Sequence, residues 1–452
     1  MTEPLRPMAS EIAARAVAMA LESGATQAEA VVVDGASALT RFANNELHQS
    51  VAEDDTSVNL RFVDGQRIGV ASTNKVDDEA LRRLAADAGK TARLGPEQTW
   101  FRSLPEPGPV PLADGTWSRS TAEADPDLRA DAAAAVIAAA RGVGAQAFGL
   151  VETGSETISV VNSLGVDVSE ARSRSQVLTV MMGPGGGTGY AEQVAVDVGT
   201  MDASAIGHEA ATRTAAMRDP MELPAGDYPV VLDSYAAMDI AMWLGMLGFN
   251  AQEVQDRQSF YAPGKVVASP LISLADDGSD PDGAPASFDY EGVAKRRVPL
   301  IEAGVCREVV YDTRTATADG VRSTGHALPA PNPWGPYPLN LSMAAGSSSR
   351  EELIGGLERG LLVTRFHYTN AVHPRQVKIT GMTKDGLFLV EDGQIKAPVR
   401  NLRFTQSYLD ALAAVEAVSR ERRAVDGDGF LGTIVVPALR ISAFSFTGTT
   451  EH

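Results

Sequence analysis

Ile12, Ala16 and Met19 recur at helical spacing behind Ser10, a residue type that caps helices, and Gly24 follows Ser23 as a stop, so the pattern predicts a first helix over 10–23. Two strand-like runs follow, Ala30 to Asp34 and Ser57 to Val63. The second leads through Asp64-Gly65, a strong hairpin signal, into the run Arg67 to Thr73, which predicts an antiparallel sheet. Asp77 opens a second helix through Leu81, Leu84 and Ala88, expected to lie across one face of that sheet. Pro105, Pro107, Pro109 and Pro111 forbid regular structure over 101–117 and mark a linker within the N-terminal half.

Asp125-Pro126 pairs an N-cap with proline at the first helical position, and a helix is expected through Leu128, Ala132 and Ile137 to Gly142. Val151 to Val168 and Ser173 to Met182 read as strands, and another helix is expected from Asp202 to Met217. Asp219-Pro220 and Pro224-Ala225-Gly226 then punctuate the chain, and the main boundary is placed there. Beyond Tyr228 short strands and turns dominate, with helices expected at Ser234 to Asp256, Ser349 to Arg359 and Ser407 to Arg420. The expectation is an α+β protein. A mixed α/β N-terminal domain occupies 1–220, readable as two pieces, 1–100 and 118–220, and a β-rich C-terminal domain occupies 221–452.

Length agrees with more than one core, because single cores stop growing near about 250–300 residues and this chain has 452. No run approaches the roughly 18 apolar residues of a membrane span, and Met1 to Arg6 are not a basic region leading into a hydrophobic stretch, so a soluble, cytoplasmic protein without a membrane partner is expected. The single cysteine, Cys306, excludes an internal disulfide framework and a multi-thiolate metal site. A net charge of −19 without a Lys/Arg cluster argues against a nucleic-acid partner.

Several motifs invite chemistry. His208-Glu209 begins like a zinc-peptidase helix, but one turn on stand Thr212 and Arg213, neither of which supplies the second imidazole. A polar helix face results, with Asp202, Glu209 and Arg213 expected in exposed pairs. The run Gly183 to Gly189 lacks Gly-Lys-Ser/Thr and reads as a hairpin tip rather than a phosphate loop. Cys306 lies in an alternating strand, Gly304 to Tyr311, where a structural thiol is the ordinary finding. His367, Tyr368, Asn370 and His373 form the one dense histidine region, and a turn this polar and aromatic is the candidate wall of a peptide cleft. No G-x-S-x-G elbow is present.

Five stretches, in this order and spacing, resemble the TldD/PmbA family. They are Phe62 to Thr73, Pro224 to Leu232, Asp312 to Ala316 with Ser323 to His326, Gly386 to Ile395, and Pro398 to Asn401. The resemblance implies a subunit of a two-protein zinc metallopeptidase. In the metal-bearing TldD type, the helix after the Pro-Val-Val-Leu strand carries His-Glu-x-x-x-His, and a cysteine near the C-terminus completes the zinc site. The corresponding helix here begins at Tyr235, the motif positions are expected near Leu244, Gly245 and Phe249, and no histidine occurs from 209 to 325. The C-terminal segment from Asp426 through Phe430 to Ile441 contains no cysteine either. Ile240, Met242, Trp243, Leu244, Met246, Leu247 and Phe249 predict a helix that fills space, with no cavity to line.

The resemblance therefore implies a TldE/PmbA-type subunit with no catalytic or metal residue of its own. It is expected to pair with a TldD-type homologue that carries the zinc, and to help bind extended or precursor peptides. The family label "modulator of DNA gyrase" receives no support from the charge. Two alternatives are an independent metal-dependent peptidase built around His367 and His373, and a self-associating peptide-binding protein.

Overall fold

The computed structural model describes residues 7–427 and 432–449; the readings made on Met1 to Arg6 and on Asp428 to Phe430 lie outside them. The N-terminal half contains α1 (Pro7–Glu22), β1 (Gln27–Ala43), β2 (Glu46–Asp64), β3 (Arg67–Thr73), α2 (Asp78–Leu94), α3 (Arg119–Ala122), α4 (Pro126–Gly142), β4 (Gln146–Asn162), β5 (Asp167–Met182), β6 (Thr188–Ala195) and α5 (Ala203–Ala216). All six strands form one antiparallel sheet in the order β3-β2-β1-β4-β5-β6, so a single sheet runs through both pieces of the N-terminal half.

The order contains a repeat. A helix, a three-strand meander and a second helix occur twice, as α1-β1-β2-β3-α2 and as α4-β4-β5-β6-α5, and the halves meet at the β1/β4 pair. Each half buries its own core on the helix-covered face: Ala30, Val32, Leu60 and Phe62 under α1 and α2, and Phe42, Val151, Val177 and Met181 under α4 and α5. A glycine permits each second helix to approach. A Cβ at Gly69 of β3 would collide with the Ala88 carbonyl of α2, and one at Gly189 of β6 with the Ala210 carbonyl of α5. Gly189 thus has a packing role, while Gly185 and Gly186, both at positive φ, make the expected hairpin tip.

The opposite face presents Val31, Ile158 and Val160 to Phe288 and Tyr290 of the C-terminal half. The Pro-rich linker has no regular structure, yet it is tied down. Asn162 Nδ2 donates to the Pro105 carbonyl (2.8 Å), the Leu104 amide donates to Gln27 (2.9 Å), and the Ala113 amide donates to Ser287 (2.7 Å).

The C-terminal half contains β7 (Gly226–Leu232), α6 (Ser234–Gly248), α7 (Ala251–Gln255), β8 (Leu274–Asp276), β9 (Val298–Glu302), β10 (Val305–Cys306), α8 (Thr313–Asp319), β11 (Leu341–Met343), α9 (Arg350–Gly355), β12 (Arg359–His373), β13 (Lys378–Glu391), β14 (Gln394–Pro398), β15 (Leu402–Ser407), α10 (Tyr408–Ala413), β16 (Val415–Asp426) and β17 (Thr433–Thr449). Strands β7, β12, β13, β15 and β17 pair in a closed circuit, from which β11, β8, β9 and β10 extend as a flap. The largest core lies between this circuit and α6, with Ile240, Leu244, Phe249, Phe404, Tyr408 and Phe444 buried in it. The fold is α+β, with its strand-rich sheet in the C-terminal half.

Local readings need correction. Ser10 stands inside α1, where its hydroxyl donates to Asp167. The run Val151 to Val168 is parts of two strands: the Asn162 side chain accepts from the Leu164 and Val166 amides, folding a turn completed by Gly165 at φ 104°. The helix expected over 234–256 breaks after Gly248, and Asn250 caps α7 by accepting from the Gln252 amide (2.8 Å). That expected over 349–359 stops at Gly355, before β12. That expected over 407–420 ends at Ala413, because Val415 and Val418 pair into β17. The strand expected over 304–311 shrinks to β10, where Cys306 is buried and burial pushes its thiol pKa up.

Candidate functional site

Helix α6 does line a cavity. Tyr235, Met238, Asp239, Met242 and Trp243, three and four residues apart, share one face of the helix. That face looks into a cleft of about 380 Å³ closed by Leu178, Tyr190 and Glu192 of the N-terminal sheet and by Arg365 to Thr369 of β12. The space-filling expectation holds for the other faces: Leu244 and Phe249 are fully buried, and a Cβ at Gly245 would press on Leu341 and Pro338. The expected motif positions therefore point into the core. A His-Glu-x-x-x-His run facing the cleft would fall on Met238, Asp239 and Trp243.

Those residues do not fit a zinc ion. A thioether, a carboxylate and an indole replace imidazole, glutamate and imidazole, and the carboxylate is occupied. Asp239 accepts from the Tyr408 hydroxyl on one oxygen and from the Thr369 hydroxyl (2.7 Å) on the other. Thr369 in turn accepts from Trp243 Nε1 (3.1 Å), so a hydrogen-bonded chain ties α6 to β12 across the cleft floor. Burial and the adjacent Asp239 raise the Tyr408 phenol far above its ordinary value and keep it a donor. Among the described residues no three His, Cys, Asp or Glu side chains are grouped to hold a metal.

Glu192 is the second buried carboxyl of the cleft. Strand alternation on β6 turns Gly189 and Ala191 towards α5 and Tyr190 and Glu192 towards α6. Burial first, and then the charge of Asp426, push the Glu192 pKa up to about 7, although Gln176 (3.1 Å) and the Asp426 amide (3.3 Å) donate to it. Beside it the Arg365 guanidinium lies 4.2 Å from the Tyr190 ring centroid and pairs with Asp385.

The predicted cleft residues divide. His367 and Tyr368 line the cleft, Tyr368 being 77% exposed and at positive φ, whereas Asn370 and His373 lie exposed farther along β12 and do not line it. The expected turn is strand through His373. At roughly 3.3 Å per residue this sets His367 and His373 on the order of 15–20 Å apart, too far to share one ion. Past Val363, where the pairing with β7 ends, the β12 edge on that side has no strand partner among the described residues.

The decoy helix is also more than a polar face. Asp202 caps α5 by accepting from the Ala205 amide, while Glu209 and Arg213 are largely buried rather than exposed, and Arg213 reaches Asp233 at the start of α6 (3.0 Å). Ser323 to His326 ends in a fully buried imidazole, His326, bonded to Asp276 (2.8 Å) beside Lys295. Asp239 and Glu192 were the residues missed. A lone acid in the otherwise apolar run Ala237 to Leu244 was the available signal for Asp239.

Three family models match in order. They are the PmbA/TldA metallopeptidase domain 1 over residues 28–92, the central domain over 119–218 and the C-terminal domain over 225–448. The chain belongs to the TldD/PmbA family. Among relatives in this family, a metalloprotease TldD homolog of Buchnera aphidicola (subspecies Acyrthosiphon pisum) is 26% identical over 247 residues, 50% of each chain. A zinc metalloprotease TldD homolog of Saccharolobus solfataricus is 24% identical over 207 residues, 44% of this chain and 45% of that one. The chain thus spans about half the length of the curated relatives it matches. The crystal structure of TldE from Thermococcus kodakarensis superposes with a TM-score of 0.89 at 20% identity, covering 97% of this chain and 100% of that one, which is a likeness of fold.

Proposed function

We propose that this chain is the TldE/PmbA-type subunit of a TldD-type zinc metallopeptidase, contributing a peptide-binding wall rather than a metal. The observation that carries the reading is the cleft face of α6: Met238, Asp239 and Trp243 occupy the spacing that a zinc helix needs, and Asp239 is held by Thr369 and Tyr408. The unpartnered edge of β12 supports strand-like pairing with an extended peptide, flanked by Tyr190, His367 and Tyr368. The zinc, its ligands and the general base would belong to a TldD-type partner, where the metal would supply Lewis-acid activation for peptide hydrolysis.

Metal analysis of the purified chain should find no stoichiometric zinc, and mixing it with a TldD-type homologue should give a stable heterodimer with chelator-sensitive peptidase activity. One tightly held zinc per chain, or separate species on size exclusion of the mixture, overturns the reading.

A further inference from the structure

The N-terminal sheet meets the C-terminal half at a tight hairpin, 288–294, whose Phe288 packs on Val31, Ile158 and Val160. Gly292 lets the hairpin come this close, for a Cβ there would strike Val166, with Val160 and Val168 behind it. Two motif stretches that the cleft leaves without a role brace the hairpin. The Thr313 amide donates to Glu291 (3.0 Å), and the Ala327 amide, next to His326, donates to Asp289 (2.8 Å).

Carboxyls crowd this seam, and most are provided for. Asp289 also accepts from the Glu291 and Val293 amides (2.9 and 3.0 Å). Asp312 caps α8 and has Arg314 beside it, Glu170 pairs with Arg172, and Asp276 pairs with Lys295. Arg61 of β2 donates to Glu291 (3.2 Å) and to Oε1 of Glu29, which stands opposite it on β1 (3.0 Å). The other oxygen of Glu29, Oε2, is buried and has no hydrogen-bond partner among the described residues, in a residue only 2% exposed. Arg61 and Glu291 are the charged groups that act on Glu29. Across from it on β4 stands Asn162, spent on the Pro105 carbonyl and on the Leu164 and Val166 amides.

One guanidinium thus serves two carboxyls. Glu291 accepts on both oxygens and balances Arg61, so a charge on Glu29 would be a surplus one, buried with a bare oxygen, and costlier than a neutral hydroxyl in the same place.

We propose that Glu29 carries a proton while the hairpin is docked, and that the seam between the two halves is a latch that loosens when this proton leaves. Burial raises the Glu29 pKa from 4.5 to about 7, with Arg61 opposing the shift and Glu291 reinforcing it. Because the docked value is the raised one, the contribution to docking is full below about 4.5 and is lost as pH rises to about 7. The latch does not depend on what the cleft binds.

Amide hydrogen exchange of the full chain, corrected for the intrinsic rate, tests this on peptides covering 288–294 at pH 5, 6, 7 and 8. The comparison is with Glu29→Gln, which keeps an acceptor for Arg61 and cannot ionise. The variant-to-parent ratio of protection should rise about thirtyfold from pH 5 to pH 7 and change little beyond. Glu291→Gln leaves Arg61 to Glu29 alone, so its ratio should rise in the same direction, several-fold. At pH 6 the infrared band of a buried carboxylic acid should be present in the parent and reduced in Glu29→Gln. A ratio that stays constant from pH 5 to pH 8 in either variant, or equal acid bands in parent and Glu29→Gln, overturns the proposal.

Discussion

Replacing Glu192 by glutamine isolates the electrostatic cost of the cleft. The carboxyl is 1% exposed, and its pKa is raised from 4.5 to about 7, first by burial and then by Asp426. For an acid whose pKa is raised on folding, the stabilising contribution is full below the unfolded value and is lost as pH rises through the folded one. At about 1.36 kcal/mol per pKa unit, the whole span is about 3 kcal/mol. Glutamine keeps the shape, still accepts from the Asp426 amide, and can be met by a turned Gln176 amide. Urea midpoints at pH 5, 6, 7 and 8 should therefore show the parent chain losing about 2.5 kcal/mol relative to Glu192→Gln, most of it before pH 7. A gap that stays constant across this range refutes the reasoning, for it would mean that Glu192 ionises alike in the folded and unfolded chain.

Two further outcomes follow from packing and hydrogen bonding. Gly189→Ala should cost about 2–4 kcal/mol by urea unfolding, since its Cβ meets backbone of α5, whereas Gly185→Ala, at positive φ with open space around it, should cost only about 1 kcal/mol. Tyr408→Phe should cost about 2–3 kcal/mol, because Asp239 then stays buried with one hydroxyl donor fewer, and intrinsic Trp243 fluorescence should report the loosened cleft floor.

The order of elements was largely legible, because hairpin signals such as Asp64-Gly65 and caps such as Asp77 and Asp125 act locally. Boundaries failed where a side chain made the turn: Asn162-Ser163-Leu164-Gly165 carried turn-forming residues, but the valines on both sides drew the reading through as one strand, and Asn162 in fact folds back on two amides. The cleft was half legible. His367 and Tyr368 stood out as polar residues in a β-rich stretch, but the face of α6 depends on which side β12 and β6 cover, and that is set by pairings far apart in sequence. Asp239 was visible and passed over, since its neighbours made the helix look uniformly apolar. The internal repeat left no sequence mark that was read, because it is kept by single glycines and small helix residues.

That repeat has a consequence for the chain's self-protection. Either half alone would present β1 or β4, each 17 residues long, as a bare strand edge, a template for uncontrolled association. Joined in one chain, the two long edges satisfy each other, and what the sheet leaves open is shorter: β3 and β6, of 7 and 8 residues, and the parts of β2 (46–57) and β5 (167–174) that they do not cover. The fusion thus keeps the longest edges of this sheet out of reach of any extended polypeptide, its own copies included.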